Sequence, residues 1–300
     1  MKPTSMIFLV LSLILIFGGF MTCNVAKSMA ASQGIPIYDT TFDSNGDAVY
    51  TYDISDTALN KLILNFSGVD VNIIGNAERS YIELKNFDVN SYRVTLSGGN
   101  VTVDGTVGFL SSLLDMSAGG IQFKGLRYFL LDKPDPERPK SVTVYLTSLS
   151  ELKTLSVSLE KGTVAFENIQ NSLDYSVSLN NADATFRNVI STSIASISAS
   201  SGNIKMVGSR FVTINATIEN GNATIIGNDI LSYQRTSYQL SVKEAGNIVY
   251  NGGNAGTAYK ATSPAPEATV FIDVDKGIIS IDDGGFPAIA PASTQPSGVD

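Results

Sequence analysis

The sequence predicts an all-β protein built as a β-solenoid, a stack of parallel rungs of about 20 residues each. Three observations predict it. Residues of one kind recur at a fixed step along Val142–Asn228: Ser148, Asn168, Asn188, Gly208 and Asn228 stand 20 apart, and so do Leu146, Phe166, Phe186, Met206 and Ile226. Within each unit apolar and polar residues alternate, as in Ser156-Val157-Ser158-Leu159 and Thr163-Val164-Ala165-Phe166. That period of two marks strands with one buried face. Turn residues then line up between the runs as Glu160-Lys161-Gly162, Asn180-Asn181-Ala182, Ser200-Ser201-Gly202 and Glu219-Asn220-Gly221, the last one residue early. Glycine at the third position fits a backbone with positive φ; in the second unit Asn181 takes that role in place of Ala182. One such unit cannot bury its apolar face alone, so a constant step is explained by stacking. A β-sandwich of meandering hairpins is the alternative; it accounts for the turns but does not demand equal unit lengths.

The chain opens with Lys2 and an apolar run from Met6 to Met21. The run is long for a signal peptide and short for a membrane span, although extension through Ala26 makes it long enough to cross a bilayer. Segment 1–33 is therefore expected to be a signal peptide, with Ser28-Met29-Ala30 as the small-x-small cleavage signal, or a retained N-terminal membrane anchor. Lipidation at Cys23 is a third outcome. All three place the rest of the chain outside the cytoplasm, secreted or anchored to the cell membrane. Segment 34–60 is a lead-in, with a first alternating strand at Ala48–Ile54. The solenoid is expected over 61–283, beginning with Leu62–Phe66 and Val69–Ile74 and continuing with Tyr81–Leu84, Tyr92–Leu96 and Val101–Val103. Loop insertions are expected near 108–141, where Phe109–Met116 forms a short helix or strand and Pro134, Pro136 and Pro139 exclude a central strand. A second exposed loop is expected near 251–266. Two weaker units, Leu240–Tyr250 and Val270–Ile281, follow the repeat in that order. The Pro- and Ala-rich segment 284–300 is expected to be a disordered tail.

Composition excludes several functions. The 300 residues contain no histidine and a single cysteine, Cys23. A Ser-His-Asp triad, a Cys-His dyad and a histidine-ligated zinc are thus excluded, and no intrachain disulfide can form. Net charge is −8 with no Lys/Arg cluster, which argues against a nucleic-acid partner. No motif calls for a cofactor or a metal. Asp273-Val274-Asp275-Lys276-Gly277 has the opening of a calcium loop but lacks its later carboxylates, so it reads as a solvated turn. Asn65, Asn100, Asn215 and Asn222 begin glycosylation sequons that read more simply as turn and strand residues.

The outward positions of the repeat form columns of serine: Ser156, Ser176 and Ser196, and beside them Ser158, Ser178 and Ser198. These six are the candidate binding face, a flat hydroxyl array for a sugar or another repetitive surface. They also suit a merely soluble β-face, and an ice-binding face would favour threonine instead.

Leu62–Ile74, Val142–Leu146 and the turn Ser201-Gly202-Asn203-Ile204 resemble a bacterial putative-adhesin family, a domain of unknown function with β-strand repeats and, in many members, an N-terminal membrane segment. The resemblance covers about 48–281. It implies a β-solenoid in the cell envelope and brings no site residues. The expected function is therefore a non-enzymatic, extracytoplasmic β-repeat protein, an adhesin or surface-binding module whose partner is a cell-surface glycan or an envelope protein. Two alternatives stand beside it: a membrane-anchored envelope module with a regulatory or structural role, and a polysaccharide-active enzyme working through paired carboxylates.

Overall fold

The computed structural model describes residues 41–55, 59–87, 91–97, 99–106, 114–117, 120–123, 137–147, 152–227 and 235–283. The expectations for the leader, for Ser148 and Asn228, and for the tail fall outside these ranges. Every regular element among the described residues is a β-strand, and no helix there is long and apolar enough to cross a membrane.

The N-terminal part holds β1 (Thr41–Phe42), β2 (Ala48–Asp53), β3 (Lys61–Ser67), β4 (Asp70–Ile74), β5 (Tyr81–Lys85), β6 (Arg93–Ser97), β7 (Asn100–Asp104), β8 (Leu114–Ser117), β9 (Gly120–Phe123) and β10 (Ser141–Tyr145). The central part holds β11 (Thr154–Glu167), β12 (Gln170–Asn171), β13 (Asp174–Arg187), β14 (Ile190–Ser191), β15 (Ile194–Ser201), β16 (Ile204–Val207), β17 (Thr213–Asn220) and β18 (Ala223–Ile226). The C-terminal part holds β19 (Thr236–Tyr250), β20 (Gly253–Gly256), β21 (Ala258–Ala261) and β22 (Ala268–Asp282).

The central strands pair parallel, and the register follows the sequence repeat. β11 lies on β13 from Thr154↔Asp174 to Glu167↔Arg187. The first half of β13 then pairs with β15 and its second half with β16. β15 and β16 pair in turn with β17 and β18, and both of these pair with β22. The result is a closed ring of six parallel strands, β13–β15–β17–β22–β18–β16, with other strands outside it. The ring closes because β13 and β22 run on through a corner where the two units between them break into β15/β16 and β17/β18. The first halves form a front sheet and the second halves a back sheet over a shared core. Adjacent central units pair parallel, so hairpins do not describe this part of the chain.

Two buried columns carry the core. In front, Leu64, Val157, Val177, Ile197, Ala216, Ile272 and Leu240 stand in register. Behind, the column is Val144, Ile73, Phe166, Phe186, Met206, Ile225, Ile281 and Tyr250. Phe166 and Phe186 stack with ring centroids 4.4 Å apart and planes 4° from parallel. Ile225, rather than Ile226, continues that column. The cause is the early turn at Gly221, which shortens one unit by a residue, so that Met206 faces Ile225.

The corners explain the turn residues. Asn181 carries φ 53°, which spares Ala182 that conformation. In later units glycine takes over with φ 145° at Gly202 and 149° at Gly221. A Cβ on Gly221 would lie 1.8 Å from the carbonyl oxygen of Gly202, and one on Gly202 equally close to that of Ala182. Stacked backbones approach here more closely than any side chain allows. Beside this corner a polar ladder climbs the stack. The Asp183 carboxylate accepts from the backbone and side-chain amides of Asn203, the Asn203 carbonyl does the same for Asn222, and Asn222 accepts from Ile278 N.

Both ends depart from the expected order. β22 inserts between β17/β18 and β19, so the unit Val270–Ile281 precedes Leu240–Tyr250 in space. At the other end β10 slots between β4, its parallel partner, and β5, its antiparallel one. The outermost strands are antiparallel: β1, β2 and β5 on the back sheet, β6 on β7, and β20 and β21 on β19. The segment near 251–266 is thus not a plain loop but contributes β20 and β21. Within 108–141, β8 and β9 form a small antiparallel hairpin and β10 belongs to the main sheet.

Candidate functional site

Alternation decides what each strand shows to solvent. Because Leu155, Val157 and Leu159 point into the core, Ser156 and Ser158 point out of the front sheet; the same holds for Ser176 and Ser178 and for Ser196 and Ser198. The structure brings all six together. Ser156, Ser176 and Ser196 stand in one register line and Ser158, Ser178 and Ser198 in the next. Five are exposed and Ser156 is half-buried. Neighbouring strands lie about 4.8 Å apart and alternate residues of a strand about 6.7 Å apart, so the hydroxyls form a near-rectangular lattice. None of the six makes a side-chain hydrogen bond among the described residues.

The rim of this array is polar and tied down. Asp174 accepts from Ser193 Oγ at 2.5 Å and from Ile194 N at 3.3 Å, and Ser200 Oγ donates to Asn180 at 2.9 Å. Asn215 and Thr217 extend the array by one strand, and then it ends: the next positions are Phe271 and Asp273 on β22. Asp273 accepts from the Ser241 hydroxyl, and Asp275 pairs with Lys243 at 3.0 Å. The hydrogen bond and charge of Asp275 raise the Lys243 pKa above its ordinary value. Partners within the protein thus engage the two carboxylates of the calcium-like segment. Among the described residues no group of three Asp, Glu, His or Cys side chains is arranged to hold a metal ion.

Sequence reasoning missed a second feature, on the back sheet at the N-terminal end. Residues Ala77, Glu78, Arg79, Tyr81 and Tyr145 line an open cavity of about 500 Å³. Tyr81 on β5 and Tyr145 on β10 face each other across the antiparallel pair and stack at 4.3 Å. The Arg79 guanidinium lies 5.0 Å from the Tyr81 ring centroid and 3.8 Å from Asp53. Partial burial, with Tyr81 and Glu83 nearby, raises the Tyr145 phenol above its ordinary pKa, so it is neutral at physiological pH. The signal was present in the sequence: in Tyr81-Ile82-Glu83-Leu84 and Val142-Thr143-Val144-Tyr145 an aromatic occupies the solvent-facing position of the alternation.

No protein-family model matches the chain, and no curated protein does. Solved structures of similar extent do exist. One is a putative cell adhesion protein from Clostridium sporogenes, 11% identical, aligned over 79% of this chain and 98% of the other with a TM-score of 0.39. A putative adhesin from Bacteroides fragilis is 14% identical over 78% and 96%, with a TM-score of 0.42. A putative lipid binding protein from Parabacteroides distasonis is 11% identical over 81% and 96%, with a TM-score of 0.29.

Proposed function

We propose that this protein is a non-enzymatic β-solenoid that works outside the cytoplasm, binding a repetitive surface through the serine array of its front sheet. One observation carries the reading: six small, uncharged hydroxyls stand in register on adjacent parallel strands with no side-chain hydrogen bond among the described residues. Such a lattice offers many weak contacts in a row rather than one deep pocket, and weak contacts along a periodic polymer add through effective concentration. The solenoid reading rests on the parallel registers, with the six-strand ring taken as two sheets of one stack joined at glycine and asparagine corners. The extracytoplasmic reading rests on the apolar segment Met6–Met21.

The test is attachment. Replacing Ser158, Ser178 and Ser198 together by lysine leaves the fold intact, because solvent-facing positions tolerate charge. It is expected to weaken retention on cell-wall or host glycans in a sedimentation assay, whereas single replacements do little. Retention equal to the parent's overturns the binding role of the serines. Depolymerisation of a polysaccharide by the purified protein, abolished by one Asp→Asn or Glu→Gln change, overturns the non-enzymatic reading. Protease added to protoplasts, or to outer-membrane-permeabilised cells if there are two membranes, should remove a C-terminal tag; protection of the tag until the cytoplasmic membrane is lysed overturns the location.

A further inference from the structure

We infer that the cavity beside Tyr81 and Tyr145 is a second, separate binding site, which takes one neutral hexopyranose unit of a glycan. Three features of the site lead there. Aromatic rings on a solvent-facing position of a sheet are costly to leave wet, and a pyranose ring offers the matching partner: a C–H face that stacks on an aromatic, ringed by hydroxyls. The cavity volume of about 500 Å³ suits a ligand of that size. Its polar lining mixes donors and acceptors, as vicinal hydroxyls require: the Arg79 fork, the Glu78 carboxylate and the two phenols. Glu78 has no ion-pair partner among the described residues.

The charge balance decides between sugar classes. Among the described residues Arg79 is the lone cation lining the cavity, and it is already shared with Asp53 and the Tyr81 ring. Asp53 takes Arg79 at 3.8 Å and Glu83 takes Lys85 at 3.7 Å, which leaves the Glu78 carboxylate as the unbalanced charge. A uronate would meet net negative charge here, whereas a neutral sugar does not. The guanidinium and Tyr145 both lie against the Tyr81 ring, so the stacking face for a sugar is that of Tyr145.

The site is also built before any ligand arrives. Ser80, 4% exposed, locks the loop that carries Glu78 and Arg79. Its hydroxyl accepts from Thr147 N at 3.0 Å and its backbone N–H donates to Ser55 Oγ at 3.1 Å. Its carbonyl accepts from Ile54 N, and Ala77 N donates to the Leu146 carbonyl. The loop is thus pinned to the ends of β2 and β10, which lowers the ordering cost of binding.

The experiment is calorimetric titration and saturation-transfer NMR of the full chain. The probes are neutral hexasaccharides of glucose, mannose and galactose, with oligogalacturonate as the charged comparison. At least one neutral probe is expected to bind. Tyr145→Ala and Arg79→Gln should each weaken that binding about tenfold or more, a loss of roughly 1.4 kcal/mol. Tyr145→Phe, which keeps the stacking face, should retain most of it. The triple lysine variant of the serine array should bind the probe unchanged, so failure of one site is distinguishable from failure of the other. Absence of binding by every neutral probe at about 10 mM overturns the inference. So does binding that survives Tyr145→Ala in a folded variant, or a preference for the uronate.

Discussion

The middle of this molecule and its two ends use the same alternating strands and differ in how those strands find their partners. From β11 to β18 each strand pairs with the next unit of the sequence, in parallel and in register. At the ends the order breaks, with β10 and β22 entering between strands that precede them, and the outermost pairings turn antiparallel. The middle is held by identity between neighbours: like residues stack on like, as with Phe166 on Phe186. The ends are held by particular groups, such as Ser80 at one end and, at the other, Asp283, whose carboxylate accepts from the Tyr250 hydroxyl and the Asn251 side-chain amide. An unpaired edge invites other chains to add to it, and short antiparallel strands at both ends blunt that hazard.

Point substitutions in the two regions test this difference. The largest effect is expected in the middle: Phe186→Ala should cost about 3–5 kcal/mol, because a fully buried ring leaves both its stacking partner and the T-shaped contacts of Tyr175 and Phe211 facing a void. Denaturant melting measures it, and a loss below about 1 kcal/mol would show that the column is not a shared core. Next comes a pair of corner glycines. Gly221→Ala should cost about 3 kcal/mol, from strain at positive φ plus collision with a neighbouring backbone. Gly68→Ala, at φ +67° with open space around it, should cost about 1 kcal/mol. Equal costs would deny that close stacking dictates glycine in the later units.

Asn203→Ala should cost about 1 kcal/mol, since it removes the acceptor of Asn222 and a donor to Asp183 from an exposed ladder. Hydrogen exchange should quicken at Asn222 and leave β2 and β5 unchanged; faster exchange throughout would mean that the stack opens as one unit. The smallest effect is at the N-terminal end and depends on pH. Arg138, with Asn86, holds the Asp47 carboxyl below its ordinary value; the backbone amide of Asp47, then that of Asn45, does the same for Asp43. A lowered folded-state pKa stabilises fully above the unfolded value near 4 and is lost as pH falls through the folded value. Arg138→Ala should therefore lower the midpoint slightly at neutral pH and leave it nearly unchanged where Asp47 is protonated, so that the acid limb of the stability profile flattens. An unaltered acid limb would show that the pair does not anchor this end.

The contrast also explains what could be read from the residues. The steps from Phe166 to Phe186 to Met206 specify parallel register because the same face must be buried in every unit. Even the exception at Ala182 was legible, since asparagine is among the few residues that accept positive φ. The unit Leu240–Tyr250 was recognisable as a strand pair, but its place was not. Its alternation fits any open edge of the stack, and nothing local records that Val270–Ile281 arrives later and takes the inner position. The serine array was visible because it repeats. The tyrosine site was not, because Tyr81 and Tyr145 come from separate parts of the chain and meet only where β10 inserts beside β5.

The late arrival of β22 bears on how the chain can be made. While the ribosome has released only the first 250 residues or so, β17 and β18 present an open edge and β19 is the sole unit at hand with matching alternation and a matching glycine, Gly246. If β19 pairs on that edge first, it makes an incorrect layer that has to dissolve before β22 can take its place. The C-terminal end is thus the segment where synthesis and assembly run in opposite order.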